Sequence, residues 1–128
     1  MPKKIVNSTS APAPVGPYSH AAAAGGWLFL SGQIPADPAS GKMVLEPVEA
    51  AAERCLENLK AVLEEAGAGL GDVVKVTIFL ADMGDFPRVN EVYAKYFPSE
   101  PPARACVQAA ALPKGVPIEI ELVAYTGD

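Results

Sequence analysis

Residues 73–80 read VVKVTIFL, a run rich in β-branched side chains that alternates in the manner of a strand. Val74, Val76, Ile78 and Leu80 are expected on one side, with Val73, Lys75, Thr77 and Phe79 on the other. Helical periodicity flanks this run on both sides. Upstream, Val48, Ala51, Ala52, Cys55, Leu56, Leu59, Val62, Leu63 and Ala66 recur at steps of three and four as one apolar stripe. Glu49, Glu53, Arg54, Glu57, Lys60, Glu64 and Glu65 fill the opposite side. Pro47 suits the first turn and Gly67 a left-handed stop, which predicts a helix about 30 Å long. Downstream, Asp85 as N-cap, Pro87 in the first turn and inward-facing Phe86, Val89, Tyr93, Tyr96 and Phe97 predict a helix over 86–97, ended by Pro98.

Further strands are expected at 4–7, 20–24, 27–34, 104–110 and 117–125, and the Gly25-Gly26 pair signals a hairpin between two of them. Strands, helix, strand, helix, strands is the order of an α/β (α+β) sheet of five or six strands with two helices packed on one face. Two helices cover only one face. Trp27 and Phe29 alternate with Leu28 and Leu30, so bulky apolar groups stand on both sides of one strand, and self-association is the expected cover for the second face.

The 128 residues suit one domain, 1–128, with half of them hydrophobic and a fifth charged. The net charge of -5 and a longest basic run of only Lys3-Lys4 disfavour general binding of nucleic acid. No stretch is apolar enough for a signal-peptide core or a membrane span, so a cytoplasmic protein is expected. Cys55 and Cys106 fit neither a disulfide framework nor a zinc spacing. Common metal, nucleotide and hydrolase motifs are missing, and Gly67, Gly69 and Gly71 follow a helix, where a stop and turn is the simpler reading than a phosphate loop. The single histidine, His20, beside an alanine-rich strand, reads as structural or exposed rather than catalytic.

The chemically informative stretch is PPARACV (101–107), followed by LPKGVPIEIE (112–121). Alternation puts Arg104, Cys106 and Gln108 on one face of a strand, and Glu119 and Glu121 on one face of the next. If these strands form a hairpin, the guanidinium and the carboxylates stand on its polar faces. Two readings follow. One is a cross-strand ion pair in solvent. The other is a cleft in which Arg104 grips a carboxylate by two parallel hydrogen bonds and Glu119 works on a water or an amine. Cys106 fits a small buried hydrophobe better than a nucleophile.

These blocks, with VGPYSHA (15–21), LSGQIP (30–35) and DVVKVTIFLADMGDFPRVNEVY (72–93), closely resemble the Rid (YjgF) family in order and spacing over nearly the whole chain. The resemblance implies a chorismate mutase-like fold, a six-stranded mixed sheet with two helices, assembled as a homotrimer with sites in the clefts between subunits. It implies hydrolytic deamination of 2-imino acids, such as 2-iminobutanoate and 2-iminopropanoate, to 2-keto acids and ammonia, with no metal or organic cofactor. Arg104 matches the family's carboxylate-binding arginine and Glu119 the acidic residue beside the attacking water. Tyr18, Ser31, Gly32, Asn90 and Cys106 match other pocket positions. Read on their own, Tyr18 suits a surface loop, Asn90 an exposed helix face, and Ser31-Gly32 a strand bulge. Relatives described as endoribonucleases or translation inhibitors supply one alternative, and a metabolite-binding or chaperone-like trimer without turnover supplies another.

Overall fold

The computed structural model describes residues 2–127. One six-stranded mixed sheet carries β1 (Lys4–Val6), β2 (Ala21–Ala24), β3 (Trp27–Gln33), β4 (Val73–Leu80), β5 (Ala103–Gln108) and β6 (Ile118–Tyr125), in the spatial order β1-β2-β3-β6-β4-β5. All neighbours are antiparallel except β4 and β5, which run parallel. The helices are α1 (Val48–Glu65) and α2 (Phe86–Tyr96).

Both helices pack on one face, as their apolar stripes require. On α1 the stripe from Val48 to Leu63 is buried against Leu28 and Leu30 of β3, Val76, Ile78 and Leu80 of β4, and Ile118, Ile120 and Leu122 of β6. Gly67 ends α1 with φ of 79°, the left-handed conformation that glycine adopts without strain. Gly25 and Gly26 turn β2 into β3 with φ of 57° and 87°, the two positive angles a tight hairpin turn demands.

One buried polar group has a clear task. Asn58, on the core side of α1, donates from Nδ2 to the carbonyls of Ile34 and Ala36 and accepts from Arg54 at Oδ1. It fastens the chain leaving β3 to the helix layer. His20 is likewise structural. Its Nδ1 accepts from the Ser8 N–H at 2.9 Å and its Nε2 lies 2.7 Å from the Pro12 carbonyl, so the tautomer carrying a proton on Nε2 satisfies both bonds.

Three expectations are corrected. The strands holding Arg104 and Glu119 do not form a hairpin, because β4 lies between β5 and β6 and bonds to both. The Val73 side chain is buried and Val74 exposed, the reverse of the simple alternation, because the ladder with β6 slips by one residue between Val73 and Lys75. Asp85 precedes α2 but makes no cap with its side chain. A short 3-10 turn at Met83–Asp85 leads into the helix, and the Asp85 carboxylate pairs with Arg88 at 2.5 Å instead.

Candidate functional site

Among the described residues no helix lies over the second face of the sheet. Trp27 and Phe29 of β3, Val107 of β5 and Tyr125 of β6 are each between 43% and 54% exposed there. Trp27 and Tyr125 are cross-strand neighbours with ring centroids 4.6 Å apart and planes tilted by 50°. Glu119, Glu121 and Phe79 share this open face, since Glu119 pairs with Phe79 and alternates with the buried Ile118 and Ile120.

A cleft of about 470 Å³ opens at the end of this face and is lined by Tyr18, Ser31, Gly32, Lys114, Glu119 and Glu121, with Val15 and Ile34 as apolar walls. Local sequence explains its shape. Between Leu30 and Gln33 the pairing of β3 with β6 is interrupted, so Ser31 and Gly32 form a bulge, a device that redirects side chains at strand ends. The Ser31 hydroxyl donates to the Ser19 carbonyl at 2.7 Å, and its N–H donates to the His20 carbonyl. These bonds hold the loop bearing Tyr18 against the bulge. Gly32 gives the Glu119 carboxylate its place, because a Cβ at this position would overlap that carboxylate. Glu119 is half-buried, and burial first and the neighbouring Glu121 charge second push its carboxyl pKa above the ordinary glutamate value. It therefore holds a proton more readily than a solvated glutamate, which suits a group that takes and returns one. Lys114, at the rim, adopts φ of 56°, unusual for a residue with a Cβ.

Arg104 lies elsewhere. Its strand neighbour is Val76, a residue of the helix-facing core, so Arg104 and Cys106 point to the helix side of the β5 edge. The Arg104 guanidinium donates from Nη1 to Asn90 Oδ1 at 2.7 Å. Its central carbon sits 4.7 Å from the Tyr93 ring centroid and 5.2 Å from that of Phe86. No carboxylate pairs with it, since both ion pairs among the described residues belong to Arg88. The Cys106 thiol is pushed up in pKa by burial, only partly opposed by the Arg104 charge, so it remains a protonated thiol rather than a nucleophile.

The residues anticipated from sequence thus fall into two groups within one chain. Tyr18, Ser31, Gly32 and Glu119 line the open-face cleft. Arg104 and Asn90 meet at the β5 edge on the other side, with Cys106 further along the same strand. Arg104 and Glu119 are not brought together by a single chain, and neither are they the ion pair that spacing allowed. Lys114, Phe86 and Tyr93 were not anticipated at the site. The last two were legible as inward-facing, and their i, i+4, i+7 spacing with Asn90 marks one stripe of α2. Among the described residues no three His, Cys, Asp or Glu side chains gather as a metal set, and no helix is long and apolar enough to cross a membrane.

A family profile described as Endoribonuclease L-PSP matches residues 8–126. A RutC family protein of Pyrococcus abyssi is 49% identical over 125 residues, covering 98% of each chain. A mouse protein named 2-iminobutanoate/2-iminopropanoate deaminase is 46% identical, covering 98% of this chain and 93% of its own. Among solved structures, E. coli TdcF with bound serine superposes with a TM-score of 0.91 at 42% identity, covering 95% of this chain and 98% of that one.

Proposed function

Because the chain belongs to the Endoribonuclease L-PSP (Rid/YjgF) family, we propose that it hydrolyses 2-imino acids to 2-keto acids and ammonia, with 2-iminobutanoate and 2-iminopropanoate as substrates, and works as a homotrimer with its sites between subunits. The observation that carries this reading is the state of Arg104: a fixed, partly shielded guanidinium, in a chain of net charge -5, that no carboxylate among the described residues neutralises. Such a fork is matched to a carboxylate by two parallel N–H···O bonds. The names of the mouse relative and of serine-bound TdcF fit a small ligand bearing an α-carboxylate.

The two half-sites supply complementary chemistry. With the β5 edge of one subunit laid against the open-face cleft of the next, Arg104 holds the substrate carboxylate while Glu119 faces C2. A water adds to C2, its oxygen forming the new C–O bond and its proton passing to Glu119. The C=N π pair moves to nitrogen, which takes up a proton from solvent water. In the resulting hemiaminal, Glu119 returns its proton to the amine, the C–N bond breaks with its electron pair leaving on ammonia, and loss of the hydroxyl proton to solvent, replacing the one that nitrogen took up, completes the ketone. The apolar groups exposed on the same open face, Phe29, Trp27 and Tyr125, are the contact surface such an assembly buries.

The test couples a threonine dehydratase to excess threonine and follows loss of the released imine. Wild-type protein is expected to accelerate that loss and Arg104→Ala to abolish the acceleration. An unimpaired Arg104→Ala protein would end the assignment, and ribonuclease activity surviving the same substitution would favour action on nucleic acid.

A further inference from the structure

We infer that Phe86 and Tyr93 are positioning residues of the site: together they form an aromatic rest that orients Arg104 for a carboxylate without neutralising its charge. This rests on the reading of Arg104 as the substrate's carboxylate anchor. An arginine on an edge strand, with only the short Cys106 beside it on the same face of that strand, has little there to restrain it, and a flexible guanidinium loses much of its advantage as a bidentate donor. The usual restraint is a partner carboxylate. That would also quench the charge and compete with the substrate.

Here the restraint is neutral throughout. Asn90 takes only Nη1, while the Tyr93 and Phe86 rings lie 4.7 and 5.2 Å from the guanidinium carbon, within the range in which a ring's negative face attracts a cation. Phe86, Asn90 and Tyr93 stand one and two turns apart on α2, so a single rigid helix presents all three. The remaining guanidinium donors are left for a ligand. Tyr93 itself shows which of its parts matters. It is 5% exposed, and its hydroxyl is buried with no hydrogen-bond partner among the described residues, so the ring and not the hydroxyl contacts Arg104.

The experiment measures KM and kcat for the dehydratase-generated imine, together with calorimetric affinity for 2-oxobutanoate, in Phe86→Leu and Tyr93→Leu. Each is expected to raise KM and weaken 2-oxobutanoate about threefold to tenfold, as loss of one cation–π contact implies, with kcat changed much less. Phe86→Tyr and Tyr93→Phe, which keep a ring, are expected to restore KM. In an Arg104→Ala background the leucine substitutions should have no further effect on affinity. Phe86 is only half-buried, so its leucine variant remains informative even if Tyr93→Leu does not fold. Unchanged KM and affinity in folded Phe86→Leu, with Arg104→Ala inactive, would overturn the aromatic rest alone. Full activity in Arg104→Ala would instead overturn the carboxylate-anchor reading, and with it the reason for the rest.

Discussion

Gly32→Ala should separate activity from stability. Gly32 is outside the left-handed region, so alanine is compatible with its backbone, and the loss of freedom in the unfolded chain favours the folded state by about 0.4–1 kcal/mol. The new methyl cannot coexist with Glu119 as placed, because it would overlap the carboxylate. The side chain must swing away, and the same gap in the bulge is no longer open to it. Displacing a general base by about 1 Å costs on the order of 100-fold in rate, within the range that such a base contributes. The expected result is therefore a fall in kcat of about two orders of magnitude, with a melting temperature unchanged or raised by a few degrees, roughly what 1 kcal/mol gives a domain of this size. The dehydratase-coupled assay and differential scanning calorimetry on the same preparation measure both. Activity within a factor of about two of wild type, with the introduced methyl and the Glu119 carboxylate both ordered in a crystal structure of the variant, would refute the placement argued for Glu119.

Other outcomes follow from individual contacts. Tyr93→Phe removes an unbonded buried hydroxyl and should stabilise the protein by about 1 kcal/mol in urea melts. His20→Leu should destabilise it by about 2–4 kcal/mol, since the Ser8 N–H and the Pro12 carbonyl both lose their partner. Because the Glu119 carboxyl is raised above its ordinary value, the native state binds its proton more tightly than the unfolded chain does. Its share of stability is therefore full at low pH and is lost as pH rises through the folded pKa. Glu119→Gln should consequently exceed wild type in stability at neutral pH, with the difference vanishing below the unfolded glutamate pKa, as denaturant titrations across pH would report. The acid limb of wild-type kcat/KM should fall at an apparent pKa above 4.5, the ordinary glutamate value.

Periodicity made the secondary structure legible, whereas strand order depended on a feature that local pattern does not express. The stripe from Val48 to Leu63 and the run VVKVTIFL each bury a side that their own spacing defines. The Arg104 and Glu119 strands, by contrast, looked like hairpin partners because they are consecutive in sequence. The overlooked signal was the intervening order β4, α2, β5. A strand, a helix and a strand in succession favour parallel pairing of the two strands, which places β5 at the edge beyond β4. Alternation also failed at Val74 and at Ser31-Gly32, where bulges shift the register, and it is the second of these that makes room for Glu119. The roles of Arg104 and Glu119 came from resemblance, since spacing alone left an ion pair equally open. The Phe86 and Tyr93 contacts to Arg104 lay outside the reach of sequence because they depend on where α2 settles over β5.

Complementation between inactive subunits tests most directly whether Arg104 and Glu119, facing opposite ways in each chain, act on one substrate. Arg104→Ala and Glu119→Gln proteins, each silent alone, would be unfolded, mixed in equal amounts and refolded together. A site completed by two neighbours is intact whenever the arginine comes from one variant and the glutamate from the other, so about a quarter of wild-type imine hydrolysis should return on random assembly. Mixed oligomers that form and stay inactive would contradict a shared site.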